Sequence, residues 1–426
     1  MVRLREIQVT DKPRDHPFRQ AIMDEVHARP VDIVPETARV RRLVFVMPTE
    51  AGALGAALRR FAQFSAGKGY PVPEDESRQH SFETGSQAVT WEFHTEFVTI
   101  TWRSMAGGDA VWPDDIGIKV LSDGLLIGAM RIDVIAEDVV PARLLPGFEL
   151  QSLCVSDIEG RQAQVATDFV ADEQSFTRFE FAAGRLSTLR RSILVRRLLE
   201  VETYRTMALM GLPLARQASP DLRAAETELT ALIGTLADIT TIDQAQAALT
   251  ALNSLSVRSG QISERLDYRF AASQAYGNIL RARLAGLKEE STSLGSSLSS
   301  YLTNRVEPAL ATCLAIEKRL DVLSDKIERA IGLLDVRIEL DVQVQNKAVL
   351  ETIARTGHSQ FQLQRTVEGL STIAISYYLL GILSYVLAGP LEELHFDKTL
   401  ALSVAAPFVL LFVWLMVRRV RNAHAA

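Results

Sequence analysis

Two long stretches near the C-terminal end of the chain contain no charged residue. They run from Gly369 to Ala388 and from Thr399 to Val417, and ten residues, GPLEELHFDK, separate them. A bilayer core of about 30 Å needs about 20 helical residues, and both stretches meet that length. The pattern predicts a transmembrane hairpin over 367–417, with spans at 369–388 and 399–417. The alternative is a buried helical hairpin in a soluble domain.

Charges beside the two stretches predict their orientation. Positive residues lie before the first stretch and after the second, whereas the connecting loop is acidic. The positive residues are Arg355, Arg365, Arg418, Arg419 and Arg421, and the loop carries Glu392, Glu393, Asp397 and Lys398. The positive-inside rule places both termini, including the basic tail 418–426, in the cytoplasm. We therefore expect a multi-pass protein of the bacterial inner membrane, with the lipid bilayer as a partner.

Residues 185–366 have few prolines and read as long helices. Apolar residues follow alternating spacings of three and four at Leu320, Leu323, Ile327, Ala330 and Leu334, and Ile338 arrives one residue late. This is typical of a coiled-coil-like stalk. Two alternatives explain the stripe: packing within one chain, or self-association as a homo-oligomer. No strong break separates residue 342 from the first apolar stretch, so the last stalk helix is expected to continue into it.

A break is predicted within GLPLARQASP, between Pro213 and Pro220. Ser219 is a candidate N-cap, with Pro220 at the first helical position.

Residues 1–184 mix strand and helix patterns. Residues 40–48 and 88–104 are rich in β-branched and aromatic residues, and residues 51–66 form an amphipathic helical pattern. Residues 148–157 and 163–172 read as one hairpin that turns at Glu159–Gly160. The segment predicts a cytoplasmic α/β domain, so the whole chain is expected to be an α+β and α-helical membrane protein.

Composition adds two exclusions. The 426 residues carry a net charge of −6, which gives no basic field for nucleic acid. Cys154 and Cys313 form no CxxC pair or disulfide framework, which favours a reducing compartment. The N-terminal segment has no apolar core typical of a secretory signal.

Two groups of histidine and glutamate are candidates for metal binding. They are His16, Glu25 and His27 in HPFRQAIMDEVHARP, and Glu92, His94 and Glu96 in WEFHTEF. On a continuous strand the second group would share one face. A divalent cation is the cofactor class that such residues suggest, although the spacing matches no zinc signature. The alternative is a structural polar network. Without a Walker A, GxSxG or HExxH motif, an enzyme is not expected.

Two further sets of residues are candidates for contacts. Hydroxyls and loop carboxylates could line a pore or its mouth: Ser371, Thr372, Ser376, Ser384, Glu392 and Glu393. A basic helix could contact an anion or a partner, or could be salt-bridged on its own surface: Arg185, Arg190, Arg191, Arg196 and Arg197.

Several long motifs resemble one family. HPFRQAIMDEVHARP, WEFHTEF, GRLSTLRRSILVRRLLEVETYRTMALMGLP and TVEGLSTIAISYY are similar to the bacterial domain of unknown function family 3422, and the resemblance covers nearly the whole chain. It implies a bacterial membrane-anchored protein and no particular activity.

A second resemblance is architectural. The chain resembles the CorA-type divalent-cation channels in its α/β domain, its helical stalk, its two C-terminal spans and its basic tail. This resemblance implies a pentamer in which the first span lines the pore. Those channels carry Gly-Met-Asn at the end of that span, where this chain has Ala388-Gly389-Pro390. The sequence thus leaves three hypotheses: an oligomeric CorA-like channel or transporter for cations or another small solute, a membrane-tethered sensor or scaffold, and a tethered metal-dependent enzyme.

Overall fold

A computed structural model describes residues 15–19, 22–23, 30–50, 52–75, 77–105, 111–386 and 397–424. The chain divides into two compact units. Unit 1 comprises Met1–Thr235 and Thr250–Arg329, and unit 2 comprises Leu236–Leu249 and Ala330–Ala426.

Strands dominate the first part of the described chain, and long helices dominate the rest. The strands are β1 Ala38–Val46, β2 Gln79–Thr84, β3 Gln87–Phe93, β4 Phe97–Ser104, β5 Leu125–Ile135, β6 Cys154–Ile158, β7 Ala163–Ala171, β8 Thr177–Ala182 and β9 Glu290–Ser291. The helices are α1 Ala53–Lys68, α2 Thr188–Leu209, α3 Gly211–Leu236, α4 Ile242–Gly286, α5 Leu298–Val386 and α6 Lys398–His424. The predicted α/β sheet segment is confirmed.

The strands form one nine-stranded sheet in the order β2-β3-β4-β1-β5-β8-β7-β6-β9. Neighbouring strands are antiparallel except β5 and β8, which are parallel. The predicted hairpin of β6 and β7 is confirmed, with Cys154 opposite Thr167. Its turn takes left-handed backbone at Glu159, Gly160 and Arg161, with φ of 52°, 63° and 62°. Glycine at the centre of the turn accepts this conformation without steric cost.

The two faces of the sheet cover separate cores. Val40 and Val44 of β1 point to one face and pack in a cluster that includes Leu194 of α2. Leu43 points to the other face and packs in a cluster with Phe61 of α1. Side chains alternate between faces along a strand, so β1 is buried on both sides and reads as a nearly continuous apolar run.

The break predicted between Pro213 and Pro220 is wrong. Helix α3 runs through both prolines, and the preceding break lies at Met210, between α2 and α3. A stripe at spacings of three and four is buried on both sides of Pro220: Ala215, Ala218, Leu222, Ala225 and Leu229. An interior proline costs about 3 kcal/mol, and burial of this stripe offsets that cost. Ser219 is therefore a residue of the helix interior and not an N-cap.

The stalk stripe is confirmed as a buried helix face. Leu320, Leu323, Ile327, Ala330 and Leu334 are each at most 3% exposed, which fits packing within one chain. Helix α5 continues without a break through Gly357 to Val386, so the predicted continuation of the stalk helix into the first apolar stretch is confirmed.

Unit 2 contains two helices that are long and apolar enough to cross a membrane. One is the C-terminal part of α5, where the best window has a mean hydropathy of 1.5, and the other is Thr399–Arg419 of α6, at 2.5. Only 6% of each window is buried. The loop that the sequence predicts between them lies, apart from its last two residues, outside the described residues.

A band of paired charges crosses one face of the sheet in unit 1. Glu180 on β8 lies beside Asp133 on the parallel strand β5. Asp133 accepts a hydrogen bond from Arg39 at 2.5 Å, and Arg178 lies 3.7 Å from Glu180. Burial, with the Asp133 charge adding to it, raises the pKa of the Glu180 carboxyl from 4.5 to about 7. The folded protein therefore holds this proton more tightly than the unfolded chain does.

This raised pKa predicts a pH-dependent stability. The stabilisation from proton uptake is lost as pH rises from 4.5 through about 7. The wild type should lose about 2 kcal/mol of unfolding free energy between about pH 5 and pH 8 from this group. Glu180→Gln has no carboxyl to titrate at this position, so its unfolding free energy should not show this loss. Denaturant unfolding at a series of pH values, followed by near-UV circular dichroism, measures this. Parallel curves for the two proteins would contradict it.

Candidate functional site

An open cleft of about 480 Å³ lies in unit 1. Helix α1, the turn between β3 and β4, helix α2 and helix α4 contribute its walls. Its lining is Leu54, Gly55, Leu58, Ser77, Arg78, Phe93, His94, Thr95, Phe97, Tyr204, Tyr276 and Ile279. The volume is within the range of about 300–1,000 Å³ that small-molecule sites occupy.

Ring contacts build one wall of the cleft. The His94 and Phe97 rings stack with centroids 4.1 Å apart and 15° between their planes. Phe97 meets Tyr276 edge to face at 6.0 Å, and Tyr276 stacks on Tyr204 at 5.8 Å. Such ring pairs favour these geometries beyond the energy of area burial. The wall therefore offers a preformed surface made of the rings of His94, Phe97, Tyr276 and Tyr204.

Backbone hydrogen bonds position the turn that carries His94. Strand β3 ends at Phe93, whose amide donates to the Arg78 carbonyl at 2.9 Å. The His94 amide donates to the Phe97 carbonyl at 2.9 Å, and the Glu96 carbonyl accepts from the Met47 amide at 2.9 Å. Because three separate backbone bonds hold the segment, the imidazole and the Phe97 ring are presented in one arrangement.

A buried ion pair ties this turn to helix α4. Glu96 and Arg269 are 7% and 8% exposed. Both Arg269 terminal nitrogens donate to Glu96, at 3.0 Å and 2.6 Å, and the Tyr268 hydroxyl donates to it at 3.1 Å. Burial raises the pKa of Tyr276, and its hydrogen bond to Glu96 raises it further. The Tyr276 phenol is thus held neutral, as a hydrogen-bond donor beside the cleft.

These contacts define what the cleft can bind. The aromatic wall suits a flat apolar group, and Arg78, which also lines the cleft, is a side chain of the type that recognises an anionic group. The described residues contain no group of three or more histidine, cysteine, aspartate or glutamate side chains that could hold a metal ion.

The prediction that Glu92, His94 and Glu96 share one strand face is wrong, because β3 ends at Phe93. Glu92 instead accepts from Arg42 at 2.8 Å and lies 3.8 Å from Arg196. Glu96 bonds Arg269 at the cleft. The two carboxylates thus serve separate buried ion pairs, as in the alternative of a structural polar network.

Only part of the first histidine group lies within the described residues. His16 is exposed, and its Nδ1 accepts from the Phe18 amide at 3.2 Å. Glu25 and His27 lie outside the described residues. A metal site in that segment stays a prediction.

Each of the five arginines proposed for a contact has a partner within the protein. Arg185 pairs with Asp138 at 2.8 Å, Arg190 pairs with Glu159, and Arg197 donates to the Gly286 carbonyl. Arg191 donates to the Val34 carbonyl at 3.1 Å, and Arg196 to Glu200 at 3.2 Å. These contacts match the salt-bridged alternative, and an additional anion or partner contact stays a prediction.

Two of the hydroxyls that were proposed to line a pore donate hydrogen bonds to backbone carbonyls of their own helix. Thr372 donates to the Glu368 carbonyl at 2.9 Å, and Ser376, which is 2% exposed, donates to the Thr372 carbonyl at 2.7 Å. Ser371 is exposed, and Ser384 lines a groove of about 750 Å³ between α5 and α6. Glu392 and Glu393 lie outside the described residues.

The sequence pattern missed most of the cleft. Tyr204, Arg269 and Tyr276 come from helices distant along the chain from WEFHTEF. Tyr204 lies in the motif with the basic helix but was not singled out there, and Arg269 and Tyr276 lie in none of the quoted motifs. The polar and aromatic density of WEFHTEF was the one signal that pointed to this place.

The fold and the cleft together define a class of protein: a sheet unit with an open, aromatic-lined cleft, on a chain that also carries two long apolar helices. The chain belongs to the DUF3422 family, described as proteins of unknown function, whose family model matches residues 14–424. Comparison with curated proteins and with solved structures finds no match. The resemblance to CorA-type channels is thus without support.

Proposed function

We propose that this protein is a membrane-tethered ligand-binding sensor. The two apolar helices anchor the chain in the bacterial inner membrane, and the cleft of unit 1 binds a flat, apolar molecule that carries an anionic group. The preformed aromatic wall of His94, Phe97, Tyr204 and Tyr276 is the observation that carries the proposal.

The anchor has its own support. Residues 369–386 and 399–417 are helical and apolar, and they are largely exposed within unit 2. An exposed apolar helix is stable in a bilayer and costly in water. Arg418 and Arg419 follow the second helix, and Arg365 precedes the first. By the positive-inside rule these residues favour a cytoplasmic location for both termini, and hence for unit 1.

Ligand binding is tested with 2-naphthoate and its neutral analogue 2-naphthalenemethanol. We expect full-length protein in nanodiscs to bind both in calorimetry, with empty nanodiscs as the blank. Arg78→Gln should weaken naphthoate binding about tenfold, since a charge-assisted hydrogen bond contributes about 1.5–3 kcal/mol and Arg78 is exposed. Binding of the neutral alcohol should be unchanged.

Arg161→Gln is the matched control, because Arg161 is an arginine on the β6–β7 turn and is not part of the cleft lining. Its binding of both probes should equal that of wild type. If neither probe binds wild type, or if Arg161→Gln weakens naphthoate as much as Arg78→Gln does, the cleft is not the site.

The channel hypothesis stays a prediction that flux assays with Mg²⁺, Zn²⁺ and Na⁺ would test. Thr372 and Ser376 donate to carbonyls of their own helix, so their hydroxyls add no argument for a pore. The metal-dependent enzyme is weaker still, since Glu92 and Glu96 are each held by arginine.

A further inference from the structure

Helix α5 contains a long segment whose side chains are all exposed. Every residue from Val342 to Val367 belongs to the exposed class, and the segment lies wholly in unit 2. Its neighbours on either side differ, since Leu334 is 2% exposed before it and Ser376 is 2% exposed after it. Most helical stability in proteins comes from packing of an apolar face, and the described part of unit 2 supplies no such packing along this segment.

The exposed segment carries its own apolar seam. Two sets of positions each recur every seven residues. Each member of the second set lies four residues after one member of the first set and three residues before the next. The first set is Val342, Val349, Thr356, Leu363 and Leu370, and the second is Asn346, Ile353, Gln360 and Val367. Val349, Ile353, Leu363 and Val367 are between 53% and 67% exposed. A seven-residue repeat on a helix keeps its seam facing a partner helix when the two supercoil.

We propose that this seam, residues 342–370 of α5, pairs with the same seam of a second copy in a parallel two-stranded coiled coil. The spacing runs three then four, so position a is taken by Asn346, Ile353, Gln360 and Val367, and position d by Val349, Thr356, Leu363 and Leu370. At the C-terminal end Val367 at a is followed by Leu370 at d, and β-branched residues at a with leucine at d favour two strands. Asn346 then faces its own counterpart, an arrangement that fixes register and a two-stranded state.

Charge allows identical chains to pair along this seam. The positions that flank it on both sides carry no charge: Gln343, Gln345, Leu350, Thr352, Gly357, Ser359, Gln364 and Thr366. The charged residues occupy the outer positions: Lys347, Glu351, Arg355, Arg365 and Glu368. Like charges at the flanking positions would repel each other when two identical helices pair, and these positions carry no charge here.

The parallel direction rests on the proposed membrane anchor. Two copies inserted in one bilayer with the same orientation present the 342–370 segments side by side and pointing the same way. The seam ends at Leu370, and the next fully buried side chain of α5 is that of Ser376. A second copy therefore completes the part of α5 that unit 2 leaves uncovered.

Disulfide cross-linking tests the pairing in the full-length chain. Leu363→Cys places a thiol in the seam, and Arg365→Cys, two residues further on, places one on the outer face. Both variants are reconstituted in lipid vesicles at a high lipid-to-protein ratio and mildly oxidised. We expect Leu363→Cys to form a covalent dimer, and Arg365→Cys to form none. Wild type is the blank, since Cys154 and Cys313 are buried.

Equal cross-linking of both variants, or none from Leu363→Cys, would overturn the pairing. Light scattering of wild type in detergent should give the mass of two copies, shifting to one in Leu363→Lys; a mass of three or more would overturn the two-stranded state. Flotation of the same vesicles separates the two proposals. Protein that floats without cross-linking refutes the seam alone, whereas protein that cross-links without floating supports the seam and refutes the anchor.

Discussion

Removal of residues 369–426 is expected to release the protein from lipid vesicles that retain the full-length chain. Full-length protein should float with the vesicles and stay with them through an alkaline carbonate wash. Residues 399–417 contain 11 leucine, valine and phenylalanine residues, which together favour membrane insertion by about 4 kcal/mol on the insertion scale. Few of these side chains are buried in unit 2, so water would surround them without a bilayer.

A point substitution gives a finer test of the same anchor. Leu410 lies in the middle of the second apolar stretch and is 45% exposed. Leu410→Arg should cost about 2.5–3.5 kcal/mol of insertion free energy, and so reduce the share of protein that floats. Leu410→Ala is the matched control and should float like wild type. Flotation of the truncated chain would contradict the anchor and place lipid binding in the remaining residues.

Glu96→Gln is expected to destabilise unit 1 by about 3–5 kcal/mol, because it leaves the Arg269 guanidinium buried without its counter-charge. Both side chains of the pair are nearly inaccessible, and two short hydrogen bonds of 3.0 Å and 2.6 Å join them. The turn of His94 depends on this anchor, so binding of 2-naphthoate should fall as well. Denaturant unfolding in detergent, followed by tryptophan fluorescence, measures the change.

An exposed ion pair supplies the control for this effect. Arg281 and Glu307 are joined at 2.6 Å, but their side chains are 46% and 39% exposed. Glu307→Gln should cost less than about 1 kcal/mol, because water screens and solvates the remaining charge. The double variant Glu96→Leu/Arg269→Met should recover much of the loss, since it leaves no buried unpaired charge. A loss in Glu96→Gln no larger than that in Glu307→Gln would show that the pair is not the anchor of the turn.

Local patterns were sufficient for the elements that one physical rule controls. Periodicity and turn chemistry predict four of these elements. They are the run of apolar residues in β1, the hairpin at Gly160, the stripe from Leu320 to Leu334 and the unbroken course of α5. The two apolar helices follow from length and hydropathy alone. Pro220 was misjudged because its neighbours bury a stripe whose packing outweighs the local preference of proline for a helix start.

The sequence by itself determined the strand-rich first part of the chain, the buried stripe from Leu320 to Leu334 and the two long apolar helices, because each is a repeat or a run within one continuous segment. Only the tertiary structure decided the cleft and the partners of its charges. Glu92 and Glu96 are four residues apart, yet β3 ends between them, and they pair with Arg42 and with Arg269. Ion pairs and ring contacts of this kind join residues from distant segments, so their geometry exists only after the sheet and the helices have packed.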